Sequence, residues 1–128
     1  MAWETENKTL APEVILRGVE RLIARPAYGF YLLAEIDQAV AGTLMVTTEW
    51  SDWRDGLFWW IQSVYVAPQF RRKGVYRALY SKVQDLATHQ PDVCGYRLYV
   101  ERDNVIAQAT YKQLGMHETD YLLFEAMR

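Results

Sequence analysis

Three consecutive cations, Arg71-Arg72-Lys73, stand directly before Gly74, and their flanks decide what they could do. Phe58 to Val66 is aromatic and β-branched, the composition strands prefer, and Pro68 ends it because proline gives a ladder no N–H. After Gly74 the apolar residues Val75, Leu79, Val83 and Leu86 fall at helical spacing. Gly74 therefore sits where the first-turn N–H groups of a helix, at its positive dipole end, lie open beside three cations. That arrangement is an anion site and reads as a phosphate cradle. It lacks the glycine spacing of a P-loop and of a dinucleotide fingerprint. A basic turn that merely caps a helix has the same composition, so on the loop alone both readings stand.

Other reactive side chains are sparse. The single cysteine, Cys94, excludes an internal disulfide framework and offers no metal cluster; set among apolar neighbours, it is expected to be a buried thiol. His89 and His117 suggest no role. Trp50, Trp53, Trp59 and Trp60 cluster in sequence and suit either core packing or stacking on a cation or ring. With 128 residues, 51% apolar and 23% charged, the chain is expected to form one globular domain with a real core. A net charge of −2 gives no general attraction to nucleic acid, and the basic cluster is the right size for one phosphorylated ligand. Met1 to Thr9 is polar, without the apolar run of a signal peptide or membrane span, which points to a cytoplasmic protein.

The elements that would position the loop follow in order. Met1 to Leu10 is expected to be ordered only in part. Pro12 suits the first turn of a helix, and Val14, Ile15, Val19, Leu22 and Ile23 form its stripe up to Arg25, before Pro26. Gly18 inside it costs about 1 kcal/mol relative to alanine. Phe30 to Ile36 alternates as a strand, Asp37-Gln38 is a two-residue turn, and a second strand runs from Ala39 to about Thr48 with a bulge near Gly42. Glu49 to Gly56 reads as a loop, and the strand ending at Val66 completes an antiparallel meander. After the helix from Val75 to Ala87, His89-Gln90-Pro91-Asp92 is a break. Tyr96 to Glu101 should be a strand parallel to the one before the helix. Asp103 or Asn104 can cap a helix carrying Ala107, Tyr111 and Leu114, with Gly115 as its stop, and a last strand is expected from about Met116 or Tyr121 to Met127. The order is α-β-β-β-α-β-α-β around one mixed sheet, an α/β (α+β) class.

Two motifs on these elements resemble the GNAT N-acetyltransferase superfamily. Arg71-Arg72-Lys73-Gly74-Val75-Tyr76 is similar to its coenzyme A pyrophosphate loop, Arg/Gln-x-x-Gly-x-Gly/Ala, with Tyr76 in place of the final small residue. Leu98 to Asn104, followed by Ala107, Ala109 and Tyr111-Lys112-Gln113-Leu114-Gly115-Met116, resembles the family's strand, asparagine and Tyr-x-x-x-Gly-Phe/Met helix. The resemblance covers roughly Phe30 to Met116. It implies the GNAT-like acyl-CoA N-acyltransferase fold, here without the usual first strand.

The resemblance also implies a cosubstrate and its contacts. Acetyl-CoA would enter a V-shaped cleft between the two parallel strands, its pantetheine pairing with backbone near Val64, Tyr65 and Val66. Its pyrophosphate would meet Arg71, Arg72, Lys73, Gly74, Val75, Tyr76 and Arg77, chiefly through amides from Arg72 onward. Asn104 would stand near the pantetheine arm, or be no more than a helix cap. Tyr111 would be the general acid that protonates the leaving thiolate; an ordinary tyrosine pKa near 10 keeps it protonated at neutral pH. Many members carry a catalytic glutamate where this chain has Gln62, so Glu35, Glu49, Asp52, Glu101 or a water chain would have to stand in. The expected activity is transfer of an acetyl group to a primary amine of a small molecule or protein, without a metal. The alternative is a non-catalytic coenzyme A-binding or protein-interaction module. The short start leaves a sheet edge that a second protomer could cover, as a homodimer would.

Overall fold

A computed structural model describes residues 11–128, so the expectations for Met1 to Leu10 and for the absent first strand lie outside the described residues. Helix α1 spans Pro12–Ala24, and a 3-10 turn at Pro26–Tyr28 leads into strand β1, Gly29–Ile36. Strands β2 (Ala39–Ser51) and β3 (Gly56–Val66) follow, then helix α2 (Val75–Ala87), strand β4 (Val93–Arg97) and helix α3 (Val105–Gln113). The four strands lie in the order β1-β2-β3-β4, the first three antiparallel and β4 parallel to β3. This is the expected mixed sheet, with its β-α-β unit in the middle.

The β1–β2 turn works without glycine because Asp37 and Gln38 both take positive φ, 51° and 67°, the geometry that matches the twist of a two-residue hairpin. Two irregularities shape the sheet. The first leaves Ala41, beside Gly42, without an opposite number on β1. Gly42 itself is held to a hydrogen side chain by space: a Cβ there would stand 2.8 Å from Val75 Cγ1 and 2.9 Å from the Tyr65 carbonyl oxygen. The start of α2 therefore lies close on the sheet.

Alternation along β3 divides its aromatic residues between faces. Trp59 and Ile61 join Ala41, Leu44 and Val46 of β2 under Val75, Leu79, Tyr80 and Val83 of α2, and this is the core. Phe30, Leu32, Ala34 and Ile36 of β1 pack against it, with the Phe30 ring edge-on to Trp59 at 5.3 Å. Trp60 faces the other way.

Four expectations are corrected. The hairpin between β2 and β3 is tighter than composition suggests: Glu49, Trp50 and Ser51 pair with Phe58, Leu57 and Gly56, so strand continues where a loop was expected. Cross-strand pairing overrides the polar composition there. Strand β4 begins at Val93 and ends at Arg97, earlier than Tyr96 to Glu101, because it pairs with the start of β3 rather than its middle. Cys94 is exposed, since β4 is the sheet's edge. No final strand forms: residues 117–128 lie outside any ladder, although their composition favours one. Strand propensity needs a partner edge to act on, and among the described residues this segment pairs with none.

Candidate active site

The last parallel pair between β3 and β4 is Trp60 with Arg97. Beyond it β3 continues through Ile61–Val66 while β4 has ended, so the sheet splits on that side of β3. Its other side stays occupied, Thr43 pairing with Tyr65 and Gly42 with Val66. A second irregularity lies at this point: from Met45 to Thr43 β2 advances two residues while β3 passes three, Gln62 to Tyr65. Ser63 absorbs the extra residue at φ 51°, a conformation uncommon outside glycine. Such a bulge bends the strand and re-aims its backbone groups, here Val64, Tyr65 and Val66 at the mouth of the split.

The basic loop closes the far end of that split. After a 3-10 turn at Pro68–Phe70, Arg72 and Gly74 take φ of 63° and 80°, curling the backbone into α2. Alternation of ordinary and left-handed residues forms an anion-binding concavity of N–H groups. Gly74 is the N-cap of α2 and no side chain caps the helix, so its first N–H groups face outward. A Cβ at Gly74 would meet nothing within 4 Å, so the space beside this N-cap residue is open. Arg71 Nε donates to the Val66 carbonyl at 2.9 Å, bracing the loop against β3. Arg72, Lys73 and Arg77 are exposed around the same turn.

Tyr76 follows the cradle without crossing it. Its ring lies against Tyr80 at 6.3 Å and Tyr111 at 5.7 Å, and Tyr80 meets Tyr96 at 5.9 Å. The Tyr76 hydroxyl is buried and has no hydrogen-bond partner among the described residues. Burial, and then the neighbouring Tyr111 and Tyr80 hydroxyls, push its pKa well above the ordinary value. Tyr111 is thereby placed against the first turn of α2, half-buried, and burial raises its pKa above 10 as well. Its phenol is a proton carrier that stays protonated through the neutral range.

Asn104 caps α3, its Oδ1 accepting from the Ala107 N–H at 3.1 Å. The cap leaves the side-chain NH2 as the group able to meet a ligand. Asn104→Ala should cost about 1 kcal/mol in chemical denaturation through the lost cap. Asn104→Asp, which keeps the acceptor and removes the donor, should retain that stability and show whether the NH2 also supports ligand binding.

The carboxylate positions divide clearly. Gln62 Nε2 donates to Thr47 Oγ1 across the β2–β3 pair, and an amide has no proton to take up at neutral pH. Glu49 Oε1 accepts from Trp60 Nε1 at 3.0 Å and from Arg97 at 2.8 Å, so it is held in an ion pair. Arg97 also lies over the Phe58 ring at 3.6 Å. Glu35, Asp52 and Glu101 are exposed on β1, in the β2–β3 turn and after β4, and nothing gathers them at the split. Trp50 and Trp53 are exposed, whereas Trp59 is core and Trp60 is tied to Glu49 and Tyr99. Among the described residues no three His, Cys, Asp or Glu side chains converge as metal ligands, and no helix is long and apolar enough to cross a membrane.

The sequence matches the Acetyltransferase (GNAT) family over residues 2–116. The chain belongs to that family. A possible acetyltransferase of Clostridium difficile 630 is 41% identical and superposes with a TM-score of 0.90, over 99% of this chain and 84% of that one. The apo aminoglycoside 6'-N-acetyltransferase AAC(6')-Ig of Acinetobacter haemolyticus is 24% identical, with a TM-score of 0.77 over 98% and 88%. AAC(6')-Iy in complex with the bisubstrate analogue CoA-S-monomethyl-acetylneamine is 21% identical, with a TM-score of 0.76 over 100% and 87%; at these lower identities the likeness is one of fold. No curated protein matches the chain.

For a GNAT acetyltransferase, the split sheet, the open space over Gly74 and the uncapped amides of α2 fit a coenzyme whose pyrophosphate is read by backbone. Tyr76, the departure from the family loop, does not fill that space. Three features were not read from the linear sequence: the Ser63 bulge, the Glu49–Arg97–Trp60 cluster and the Tyr76–Tyr111 contact. The cluster joins residues that only the parallel β3–β4 register brings together. The tyrosine contact had a faint signal in that Tyr111 lies on the apolar line of α3.

Proposed function

We propose that this protein transfers an acetyl group from acetyl-CoA to a primary amine, of a small molecule or a protein, by direct attack within a ternary complex. The observation that carries the reading is the end of the β3–β4 ladder at Trp60–Arg97, which leaves Val64 to Val66 facing a split that runs onto the Gly74 amides. Acetyl-CoA would supply the acyl carbon activated as a thioester. The amides from Arg72 to Arg77, with the exposed cations of the loop, would hold its pyrophosphate. Backbone N–H groups at the β3 bulge would hold the carbonyl oxygen as charge builds during attack by the amine nitrogen. As the carbon–sulfur bond breaks, the Tyr111 phenol gives its proton to the departing thiolate.

The acceptor's own proton has no assigned carboxylate, since Gln62 is an amide and Glu49 is paired with Arg97. The amine therefore reaches the site deprotonated or yields its proton to water, and activity should rise with pH as free amine accumulates. Those same two observations favour the second reading, a module that keeps the coenzyme site without turnover. Release of free thiol from acetyl-CoA across a panel of primary amines separates the two. Amine-dependent release supports the enzyme, and coenzyme binding with no release for any amine supports the module.

Gln62→Glu tests the base directly. The Thr47 hydroxyl, now 2.6 Å from the amide nitrogen, would donate to the new carboxylate and favour its ionised form, while burial opposes it. The expected result is a several-fold gain at alkaline pH and little at pH 6, well below the ~10²–10⁴ of an established acid–base group. Loss at every pH with coenzyme binding intact would instead place Gln62 in contact with the acceptor.

A further inference from the structure

Packing alone does not explain why residue 76 is a tyrosine. Its ring, on the second residue of α2, stacks on Tyr80 of the core at 6.3 Å and meets Tyr111 edge-on at 5.7 Å. Phenylalanine would make both ring contacts. The hydroxyl adds only a buried oxygen with no hydrogen-bond partner among the described residues. An unpaired buried polar group is a cost that native proteins seldom carry without a use. The oxygen is shut off from bulk solvent, so its use must involve a group already beside it. Tyr80 is core and changes charge in no step of the proposed reaction. Tyr111 does.

We propose that Tyr76 is a positioning residue for the acid step: its ring holds Tyr111, and its hydroxyl donates a hydrogen bond to the Tyr111 oxygen once that oxygen has given up its proton. The inference rests on the acetyl-transfer reading. In that step the Tyr111 O–H bond breaks, the proton joins the departing sulfur, and a phenolate is left where burial makes charge costly. A neutral donor alongside then makes a charge-assisted bond, roughly twice as strong as a neutral one. Burial holds the Tyr76 pKa well above the ordinary value, so Tyr76 keeps its own proton and only shares it. Tyr111 afterwards regains a proton from water, which has received the one lost by the amine. The hydroxyl is thus unpaired at rest and paired as the carbon–sulfur bond breaks, a difference that lowers the barrier. Helix α3 has no fully buried residue, so little packing opposes the shift that brings the two oxygens together. Because Tyr76 stands where the family loop has glycine or alanine, the device belongs to this chain and not to the motif.

Tyr76→Phe gives the test, because it keeps both ring contacts and removes one oxygen. The variant should lose about 10- to 100-fold in kcat, with KM and coenzyme affinity near native. Its thermal stability should equal or exceed that of the native protein, since an orphaned hydroxyl has gone. Slower turnover in a protein at least as stable is a combination that a packing role does not produce. Added to Tyr111→Phe, the same substitution should cost nothing further, because its effect passes through the Tyr111 oxygen. A second measurement needs no turnover. In protein labelled with 13C at the tyrosine ring Cζ, the Tyr111 signal is the one missing from Tyr111→Phe. It should titrate at higher pH in Tyr76→Phe than in the native protein. If no amine is acetylated, the acetyl-transfer reading fails and this titration alone decides whether the hydroxyl bonds the phenolate. Native kcat in Tyr76→Phe, an equal loss in both backgrounds, or a Tyr111 titration at unchanged or lower pH overturns the proposal.

Discussion

Replacing Tyr111 with phenylalanine should lower kcat by roughly 10²–10⁴-fold, the span of a general acid, while coenzyme binding persists. The change removes one oxygen and keeps the ring that packs on Tyr76 at 5.7 Å, so the α2–α3 contact and the fold should survive it. The direction of the pKa shift makes the test sharper. Burial raises the Tyr111 pKa above 10, so the folded protein keeps the phenol protonated over a wider range than free tyrosine does. General-acid activity is therefore present throughout the neutral range and is lost only as pH rises through that raised value. In the native protein the rate should climb with pH as the amine deprotonates, without a falling limb below about pH 10. Single-turnover thiol release compared with coenzyme affinity measures the effect. An unchanged rate in the phenylalanine variant, using the best acceptor, would remove Tyr111 from the mechanism and leave thiolate protonation to water.

The fold was legible where local signals act through the backbone. Pro68, Gly74 and the Val75–Leu79–Val83 stripe announce a strand, a turn and a helix whatever the rest of the chain does, and α2 begins at Val75 as that pattern requires. The parallel sense of β4 followed from the intervening helix, and a cap at Asp103 or Asn104 from residue type, the structure showing it at Asn104. What was not legible depended on pairing across distance. The β2–β3 hairpin runs on through Trp50 because Glu49 meets Phe58, a register no local window contains. Cys94 has apolar neighbours in sequence but stands on an edge in space. The segment from Tyr121 reads as a strand, and strand composition cannot say which edge, or whose, will receive it.

The acid–base positions show the same division. Gln62 could be recognised as unable to act as a base from its type alone. That its amide is tied to Thr47, and that Glu49 is neutralised by Arg97, needed the antiparallel and parallel registers together. A carboxylate in sequence is a candidate; one already accepting from a guanidinium and an indole is held by those partners.

Gly74→Val should weaken acetyl-CoA binding about 10- to 100-fold, and its cause can be divided in two. Gly74 lies at φ 80°, where a side chain costs on the order of 1–2 kcal/mol and a β-branched one more; each 1.4 kcal/mol corresponds to tenfold in affinity. Since a Cβ would meet no protein atom within 4 Å, none of the cost comes from a clash inside the protein. It comes from backbone strain in the cradle, or from a side chain occupying the space over the α2 amides where the pyrophosphate is proposed to sit. Asn tolerates the left-handed region, so Gly74→Asn keeps the loop conformation yet still places a side chain over the amides. If the ligand lies there, both variants should bind weakly in calorimetry, while only the valine variant also loses thermal stability. If strain alone matters, asparagine should restore most of the affinity. Native affinity in both variants would show that Gly74 does not border the coenzyme, and the anion-cradle assignment would fall with it.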